Sequence, residues 1–538
     1  MSVLQNPIRH QPFAVSARLI RWLLLWRFGF QPKSSSLSTF DNPQNAEAAV
    51  IIFAWGFLPT SRSSANNFSD PAMGGVTPIK LAFGRVVIRS DRLLGKPKQP
   101  TKTKMKLNRK YSSITALAAA LLSVATIPAT ADVVTDWNLI TLNATKVAGL
   151  NSNLGSRIDA IEAIAVYDAV NSIGQFGTPY HYDGTNSGSA QAAAVQAAHD
   201  VLVNYFPSQQ PTLDAALITS LNNITDGPLG SGPAAGSAAA ADIIALRDND
   251  GSSPNVSYPG PSNPGVGQWR PTPAGFAPGI NEQWGTVTPF VLDTGSRFRP
   301  GPPPAVGSWQ YNQALTEVKN LGSVSNSLRT VDQTHIAEFY KQDAELTVNE
   351  AARELAIING TSLEENALAF ALTDIAVADA RIAVWDAKYT YLFWRPVTAL
   401  NANPDGSVTN GYTAWTPLIA TPAHPDYPSG HSGTVDAGFT VLQLFFGDWN
   451  TLTLHTTTAG EPARTIKSLS QGEYENGLSR IYGGIHFSFD NLHGQALGVK
   501  VAAYVLLHGP HLKHWFEGND DGFGDFNFPA GRGVNISN

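Results

Sequence analysis

The chain has 538 residues, 43% hydrophobic and 14% charged, with no cysteine and a formal net charge of −6. That length allows one large domain or two ordinary ones, and the lack of Cys excludes a disulfide scaffold, a thiol nucleophile and a thiolate metal site. The charge is unevenly divided: residues 1–131 hold 17 Lys and Arg against 4 Asp and Glu, whereas 132–538 hold 19 against 38, so a basic leader precedes an acidic body.

The first readable unit along the chain begins at Met105. Lys106, Arg109 and Lys110 form a basic start, 114–127 an apolar run, and Ala129-Thr130-Ala131 a small-x-small cleavage site before Asp132. These parts in this order predict a secretory signal peptide at 105–131. Such a signal works at a chain's beginning, so residues 1–104 are expected to be a non-native, disordered upstream extension, with translation starting at Met105. The exported body is then 132–538, read as a single helical domain in a periplasm or outside the cell. Its acidity argues against nucleic acid and anionic membranes as partners, and it has no apolar run of about eighteen residues that would span a bilayer. All three Met (Met1, Met73 and Met105) precede the cleavage site. A body free of Met and Cys lacks the side chains that oxidants attack first.

Segments 132–170 and 188–222 are Ala-rich with a helical period, Ile158, Ile161, Ala165 and Ala169 falling at i, i+3, i+7 and i+11. Residues 251–308 change to Pro and Gly with Trp269 and Trp284 interspersed, which predicts a segment wrapped over the helical body and packed onto it by its aromatic side chains. Helix returns over 308–388, in 344–358 and 364–389. A Pro- and Asn-rich loop follows at 400–428, a helix at 429–446, an exposed Thr-rich loop at 449–463 and a last helix at 485–508. Strand signals are few. The predicted fold class is all-α, helical bundles with one long Pro/Gly-rich wrapping segment.

Candidate chemistry lies in three places within 388–490. Lys388 and Arg395 are seven apart, near two helical turns, so a helix continuing to Pro396 would carry both on one face. Pro428-Ser429-Gly430-His431 reads as a turn into a helix, where backbone N–H groups beside Gly430 and the Ser429 hydroxyl suit an anion. Arg480 precedes His486 and Asp490, and i, i+4 spacing on one helix face would let the carboxylate orient the imidazole. Together they make a site for a tetrahedral oxyanion, with guanidinium forks and an ammonium on its oxygens. One imidazole can bond the central atom while the other moves protons.

Each piece alone is weak. Lys and Arg at helix ends often cap carbonyls, Ser-Gly turns are common, and His486 alone reads as a core histidine. A zinc site of His486, Asp490 and His493 supplies three ligands and leaves both Arg unexplained. A non-catalytic anion-binding protein would have no use for the whole set. The sequence does not name a carboxylate partner for Arg395 or Arg480.

In this order, Lys388 to Arg395-Pro396, then Pro428-Ser429-Gly430-His431, then Ser479-Arg480 to His486 and Asp490 resemble the signature shared by vanadium-dependent haloperoxidases and type 2 phosphatidic acid phosphatases. The run Trp269-Arg270-Pro271-Thr272-Pro273 resembles the secreted bacterial haloperoxidase-like branch. The resemblance implies that vanadate, or phosphate in the same place, is bound by Lys388, Arg395, Ser429, Gly430 and Arg480. It implies His486 as the metal ligand of vanadium or the nucleophile of a phosphatase, His431 as the acid–base group and Asp490 as the holder of His486. His424 stands where the family's bromoperoxidases often carry His and its chloroperoxidases an aromatic ring, which favours bromide, then iodide; the plain alternative is a solvent-facing loop histidine.

The implied reaction oxidises halide with hydrogen peroxide to hypohalous acid at a vanadium that stays pentavalent, and a body without Met and Cys suits such a product. The alternative is a secreted acid phosphatase acting on phosphomonoesters. An organic acceptor and a homo-oligomer, with 251–308 free to cover the site or mediate assembly, complete the expected partners.

Overall fold

Helix α1 (Val133–Val147) is capped by Asp132, whose carboxylate accepts from the N–H groups of Val134 and Thr135, each at 3.0 Å. The structure, a computed structural model, describes residues 132–325 and 327–513. The expected extension 1–104 and signal peptide 105–131 lie outside the described residues. Helix α2 (Ser152–Gly174) is buried on every side, as befits Ile, Val and Ala distributed all round it. Helices α3 (Ala190–Tyr205) and α5 (Gly232–Arg247) lie backbone to backbone. A Cβ on Gly236 would come within 2.3 Å of the Ala193 carbonyl oxygen. Between them α4 (Gln210–Asn222) buries only Leu213. The sequence pattern does not predict α5, because its run of Ala marks no apolar face.

Helices α6 (Trp309–Leu321), α7 (Val331–Phe339) and α8 (Ala344–Asn359) lead to α9 (Leu363–Tyr391). Ser362 and Glu365 close a capping box at its start, and its 29 residues run for about 43 Å. It packs against α2 and also against α11 (Gly430–Phe446) and α13 (Ser488–His508). It therefore joins a bundle of α1–α5 to one of α8, α9, α11, α13 and α12 (Leu469–Tyr482). Glycine brings α11 and α13 together: a Cβ on Gly498 would meet the Gly433 carbonyl oxygen at 2.3 Å, and one on Gly494 that of Ser429 at 2.5 Å. The starts of these two helices are thus held side by side.

The chain is all-α in class, with one small exception. Strands β1 (Leu452–Leu454) and β2 (Arg464–Ile466) pair antiparallel, with Leu452 opposite Ile466. Leu452, Leu454 and Ile466 are buried while Thr453 and Thr465 face out, the two-residue period of a strand. This corrects the exposed loop expected at 449–463: three residues per strand are too few to register as a pattern. No helix among the described residues is long and apolar enough to cross a membrane.

The 251–308 segment wraps as expected. Trp269 and Trp284 are fully buried. The Trp269 N–H donates to the Leu392 carbonyl at 2.7 Å, and the Trp394 N–H to that of Gly267 at 2.9 Å. In the middle of α9, the buried Asp379 carboxylate accepts from the N–H groups of Phe290, Val291 and Leu292 at 2.6, 2.8 and 2.8 Å. Arg299 grips Asp386 with two bonds of 2.6 and 2.7 Å. The wrap is fastened to the half of α9 that ends at the functional site.

Candidate active site

Lys388 lies in the last turn of α9, which stops at Tyr391 because Leu392 takes a left-handed conformation with φ of 47°. Arg395 follows as the N-cap of the one-turn helix α10 (Pro396–Ala399). The two cations do not share a helix face, which corrects the expectation: Pro396 opens the next helix instead of ending α9. Ser429 is the N-cap of α11, its hydroxyl accepting from the Ser432 N–H at 3.3 Å. Arg480 lies in the last turn of α12, and Gly484, with φ of +79°, turns the chain away.

His486 lies in the connection that follows, two residues before α13 begins. The shared helix face expected of His486 and Asp490 is therefore not formed. Asp490 sits in the first turn of α13 and accepts from the Phe487 N–H at 2.8 Å. The connection is fixed by Phe487 and Phe489, stacked at 5.1 Å and packed with Phe393.

Lys388, Arg395, Arg480, Ser429, His486 and Asp490 are brought together and buried, and His424 with them. Lys388 Nζ donates to the carbonyls of Pro425, Asp426 and Pro428 at 2.9, 2.6 and 2.6 Å. Arg480 Nη2 donates to the Tyr340 carbonyl at 2.5 Å and its Nε to the Ser479 hydroxyl at 2.8 Å. Neither cation has a carboxylate among these partners.

Arg395 does. Its Nη1 donates to Asp426 Oδ1 at 3.0 Å and approaches His486 Nε2 at 3.1 Å. Its Nη2 approaches His424 Nδ1 at 3.0 Å, and a guanidinium can only donate. His424 is thus a buried partner of Arg395, its ring 4.8 Å from that of Trp385. It is not a solvent-facing loop residue. His431 is half-buried, with Nε2 3.0 Å from the Gln342 carbonyl, which leaves Nδ1 as its proton acceptor.

Sequence reasoning missed Asp426. It is fully buried, and its Oδ1 lies 2.6 Å from His486 Nδ1, against 3.3 Å for Asp490 Oδ2. An acidic residue in the Pro-rich loop directly before the Tyr427-Pro428-Ser429 turn was the available signal.

Burial sets the protonation states. It pushes the Lys388 ammonium well below its ordinary value, reinforced by Arg395, and brings Arg480 down to about 9. It drives His424, His431 and His486 well below the usual imidazole range, helped by the neighbouring Lys388, Arg395 and Arg480 charges, so all three rings are neutral at pH 7. Burial raises Asp426 to about 6 against the pull of Arg395 and Lys388. Asp490 is pushed well above the carboxylate range by burial and by Asp426. Two guanidinium groups and the Lys388 amino group thus face two buried carboxyl groups whose hold on a proton is strengthened.

An anion fits this imbalance and a cation does not. Asp426, His486 and Asp490 place donor atoms within 4.8 Å of one another, but Arg395 and Lys388 charge the same space. His493 turns instead to the Tyr427 hydroxyl at 2.9 Å, so the zinc grouping of His486, Asp490 and His493 does not form. A Cβ at Gly430 would point at Lys388 Cε and Trp385, at 3.9 and 3.5 Å, so glycine keeps clear the approach to the start of α11. The residues present fit a tetrahedral oxyanion such as vanadate or phosphate.

Residues 368–512 match the family model described as the VCPO second helical-bundle domain. A curated relative, vanadium chloroperoxidase of Curvularia inaequalis, is 26% identical over 202 residues, which is 29% of this chain and 31% of that protein. The chain thus spans about a third of that relative's length. A bacterial vanadium-dependent iodoperoxidase has the same fold at a TM-score of 0.60 and 23% identity, over 69% of this chain and 95% of the other. A holo-type bacterial vanadium-dependent chloroperoxidase matches at 0.53 and 18%, over 66% and 92%. Residues 368–512 are thus similar to the second helical bundle of that family, and the chain shares the fold of the bacterial vanadium-dependent haloperoxidases.

Proposed function

We propose that the protein is an exported, vanadate-dependent haloperoxidase that oxidises bromide or iodide with hydrogen peroxide. One observation carries this reading: a buried, net-cationic site into which a neutral imidazole presents Nε2. Carboxyl groups occupy the Nδ1 side of His486 and a guanidinium the Nε2 side, so Nδ1 holds the proton and Nε2 the lone pair. Lys388, Arg395 and Arg480 would hold the anion's oxygens, with Ser429 and the Gly430 N–H as further donors. Bound vanadate would supply a Lewis-acidic centre that activates peroxide.

His431 would accept a proton from hydrogen peroxide at Nδ1 and return it to the water that leaves. The overall balance is halide, hydrogen peroxide and one proton giving hypohalous acid and water. His424, held by Arg395, adds a second neutral imidazole beside the first and supports bromide or iodide as substrate. The relatives named for iodide and chloride show that one fold serves several halides.

Recombinant 132–538, freed of phosphate and loaded with orthovanadate, should brominate a phenolic dye in the presence of peroxide and bromide. Hydrolysis of p-nitrophenyl phosphate that vanadate only inhibits, without halide oxidation, would transfer the function to the phosphatase side of the superfamily. Export through a signal at 105–131 is checked separately by N-terminal sequencing of the secreted product, and a mature chain beginning before residue 105 would refute it.

A further inference from the structure

The Thr-rich loop between β1 and β2 is sewn onto the end of α7 and the turn that follows it. The Thr456 hydroxyl donates to the Phe339 carbonyl at 2.8 Å, and the Thr458 hydroxyl to that of Glu338 at 2.9 Å. Between them the Thr457 N–H donates to Gln342 Oε1 at 2.8 Å. Gln342 Nε2 in turn donates to the His455 carbonyl at 3.2 Å and to the Thr347 hydroxyl of α8 at 3.0 Å.

This network has one orientation. A carbonyl cannot donate and a backbone N–H cannot accept, so the Gln342 side chain must turn Nε2 to His455 and Oε1 to Thr457. Gln342 is buried, and Asp343, the N-cap of α8, makes no side-chain capping bond. Gln342 thus ties the turn between α7 and α8 both to the loop and to α8. Two main-chain carbonyls of that turn reach the anion site. That of Tyr340 accepts from Arg480 Nη2 at 2.5 Å, and that of Gln342 from His431 Nε2 at 3.0 Å.

We propose that Gln342 is a positioning residue for the acid–base group: its side chain, held by the Thr-rich loop, fixes the carbonyl that keeps the His431 proton on Nε2 and leaves the Nδ1 lone pair free. A carbonyl only accepts, so while it stands there Nε2 carries the hydrogen. With that carbonyl displaced, a neutral ring can hold its proton on either nitrogen. The fraction protonated at Nδ1 cannot take a proton there from hydrogen peroxide. Gln342 touches no reacting atom and acts only through His431. The catalytic part of the proposal rests on the haloperoxidase reading; the tautomer part does not.

The test compares Gln342→Met, Thr347→Val and Thr458→Val in the full exported chain. Long-range proton–nitrogen correlation on histidine-labelled protein reads the His431 tautomer, its signals being those lost in His431→Asn. Orthovanadate affinity is titrated without peroxide or halide. Gln342→Met keeps the length of the side chain and removes all three of its bonds. It should give a mixture of tautomers and lower kcat/KM for peroxide by about tenfold. Its orthovanadate affinity should stay within about threefold of the parent, because Arg480 is held by Tyr340 and Ser479 and not by the Gln342 side chain. Thr347→Val removes one bond and should move the tautomer the same way by less. Thr458→Val frees the loop from Glu338 but leaves every bond of Gln342, so it should lower the thermal midpoint and keep the tautomer.

A parent whose His431 proton sits on Nδ1 overturns the proposal, and so does an unchanged tautomer in Gln342→Met. A tautomer moved as far by Thr458→Val as by Gln342→Met overturns it too, because general loosening of the loop would then suffice. Should Gln342→Met fail to fold, Thr347→Val decides by whether its tautomer shifts. A shifted tautomer with unchanged peroxide kinetics overturns the catalytic part. A parent that neither binds vanadate nor oxidises halide, while its tautomer follows Gln342, would refute the functional reading and leave the positioning role standing.

Discussion

Two concentrations of buried charge lie along α9, and they have opposite signs. Midway, Asp374 stands within electrostatic reach of Asp159 and Glu162 of α2, with Glu345 of α8 beside Arg381. At the C-terminal end, Lys388 joins Arg395 and Arg480. Burial opposes charge equally in both places, but the remedies differ. Carboxyl groups neutralise themselves by taking protons: burial raises Glu162 to about 8, Glu345 and Asp374 to about 7, and Asp159 well above its ordinary value. An arginine has no such escape near neutral pH, and even Arg480 comes down only to about 9. An excess of buried acid is thus met by protons, while an excess of buried guanidinium persists and calls for an anion. The contrast separates a structural cluster from a binding site on one helix.

The largest effect that could break this contrast is at His486. Replacement by Ala should lower halide oxidation on the order of a thousandfold or more, read in steady-state bromide kinetics; an unchanged rate removes the site. Next comes Arg480→Met, expected to weaken orthovanadate binding by about a hundredfold, near 3 kcal/mol. The thermal midpoint without vanadate should meanwhile hold or rise, because an apolar chain replaces a buried charge that lacks a carboxylate partner. A strongly destabilised variant would make Arg480 a structural ion and erase the distinction.

The acidic cluster sharpens the comparison through pH. Its carboxyls start from ordinary values of 3.8 and 4.5 and hold their protons up to about 7 or 8 when folded. The folded state therefore binds more protons than the unfolded one across that window. The stability contributed by these groups is complete below about pH 4 and falls as pH rises to about 8, by a few kcal/mol. Urea midpoints measured from pH 5 to 9 should show this slope, and Glu162→Gln should flatten it. A profile that is already flat in the parent would mean that something other than protons balances the cluster. The smallest effect is expected of His424→Phe: a rise in chloride relative to bromide oxidation of at most about tenfold, measured by competition between the halides.

The sequence foretold these regions unequally. The anion-binding groups were legible because Lys388, Arg395, Ser429, Gly430, Arg480 and His486 are chemically unlike the Ala-rich helices around them. Their local geometry was not. Spacing alone suggested shared helix faces for Lys388 with Arg395 and for His486 with Asp490. The left-handed Leu392 and the Gly483-Gly484 break dictate otherwise, and both depend on tertiary packing. Asp426 was hidden because a lone loop aspartate reads as a solvated turn residue, and only the fold brings His486, some sixty residues onward, against it. Helix α5 escaped for want of an apolar period in its Ala run, and the hairpin because its strands are so short.

A last consequence follows from the way Asp379 receives three successive N–H groups of the wrap. The Asp168 carboxylate of α2 does the same for Tyr180, His181 and Tyr182, at 2.7, 2.9 and 2.9 Å. Irregular chain is ordinarily where amide hydrogens exchange fastest and proteases cut first. Here two helix-borne carboxylates make short stretches of it behave like core. Amides 180–182 and 290–292 should exchange as slowly as those of neighbouring helices, and a protease should open the chain elsewhere. Under the proposed export, part of the chain's durability would rest on segment 251–308, whose Pro/Gly composition looks least durable.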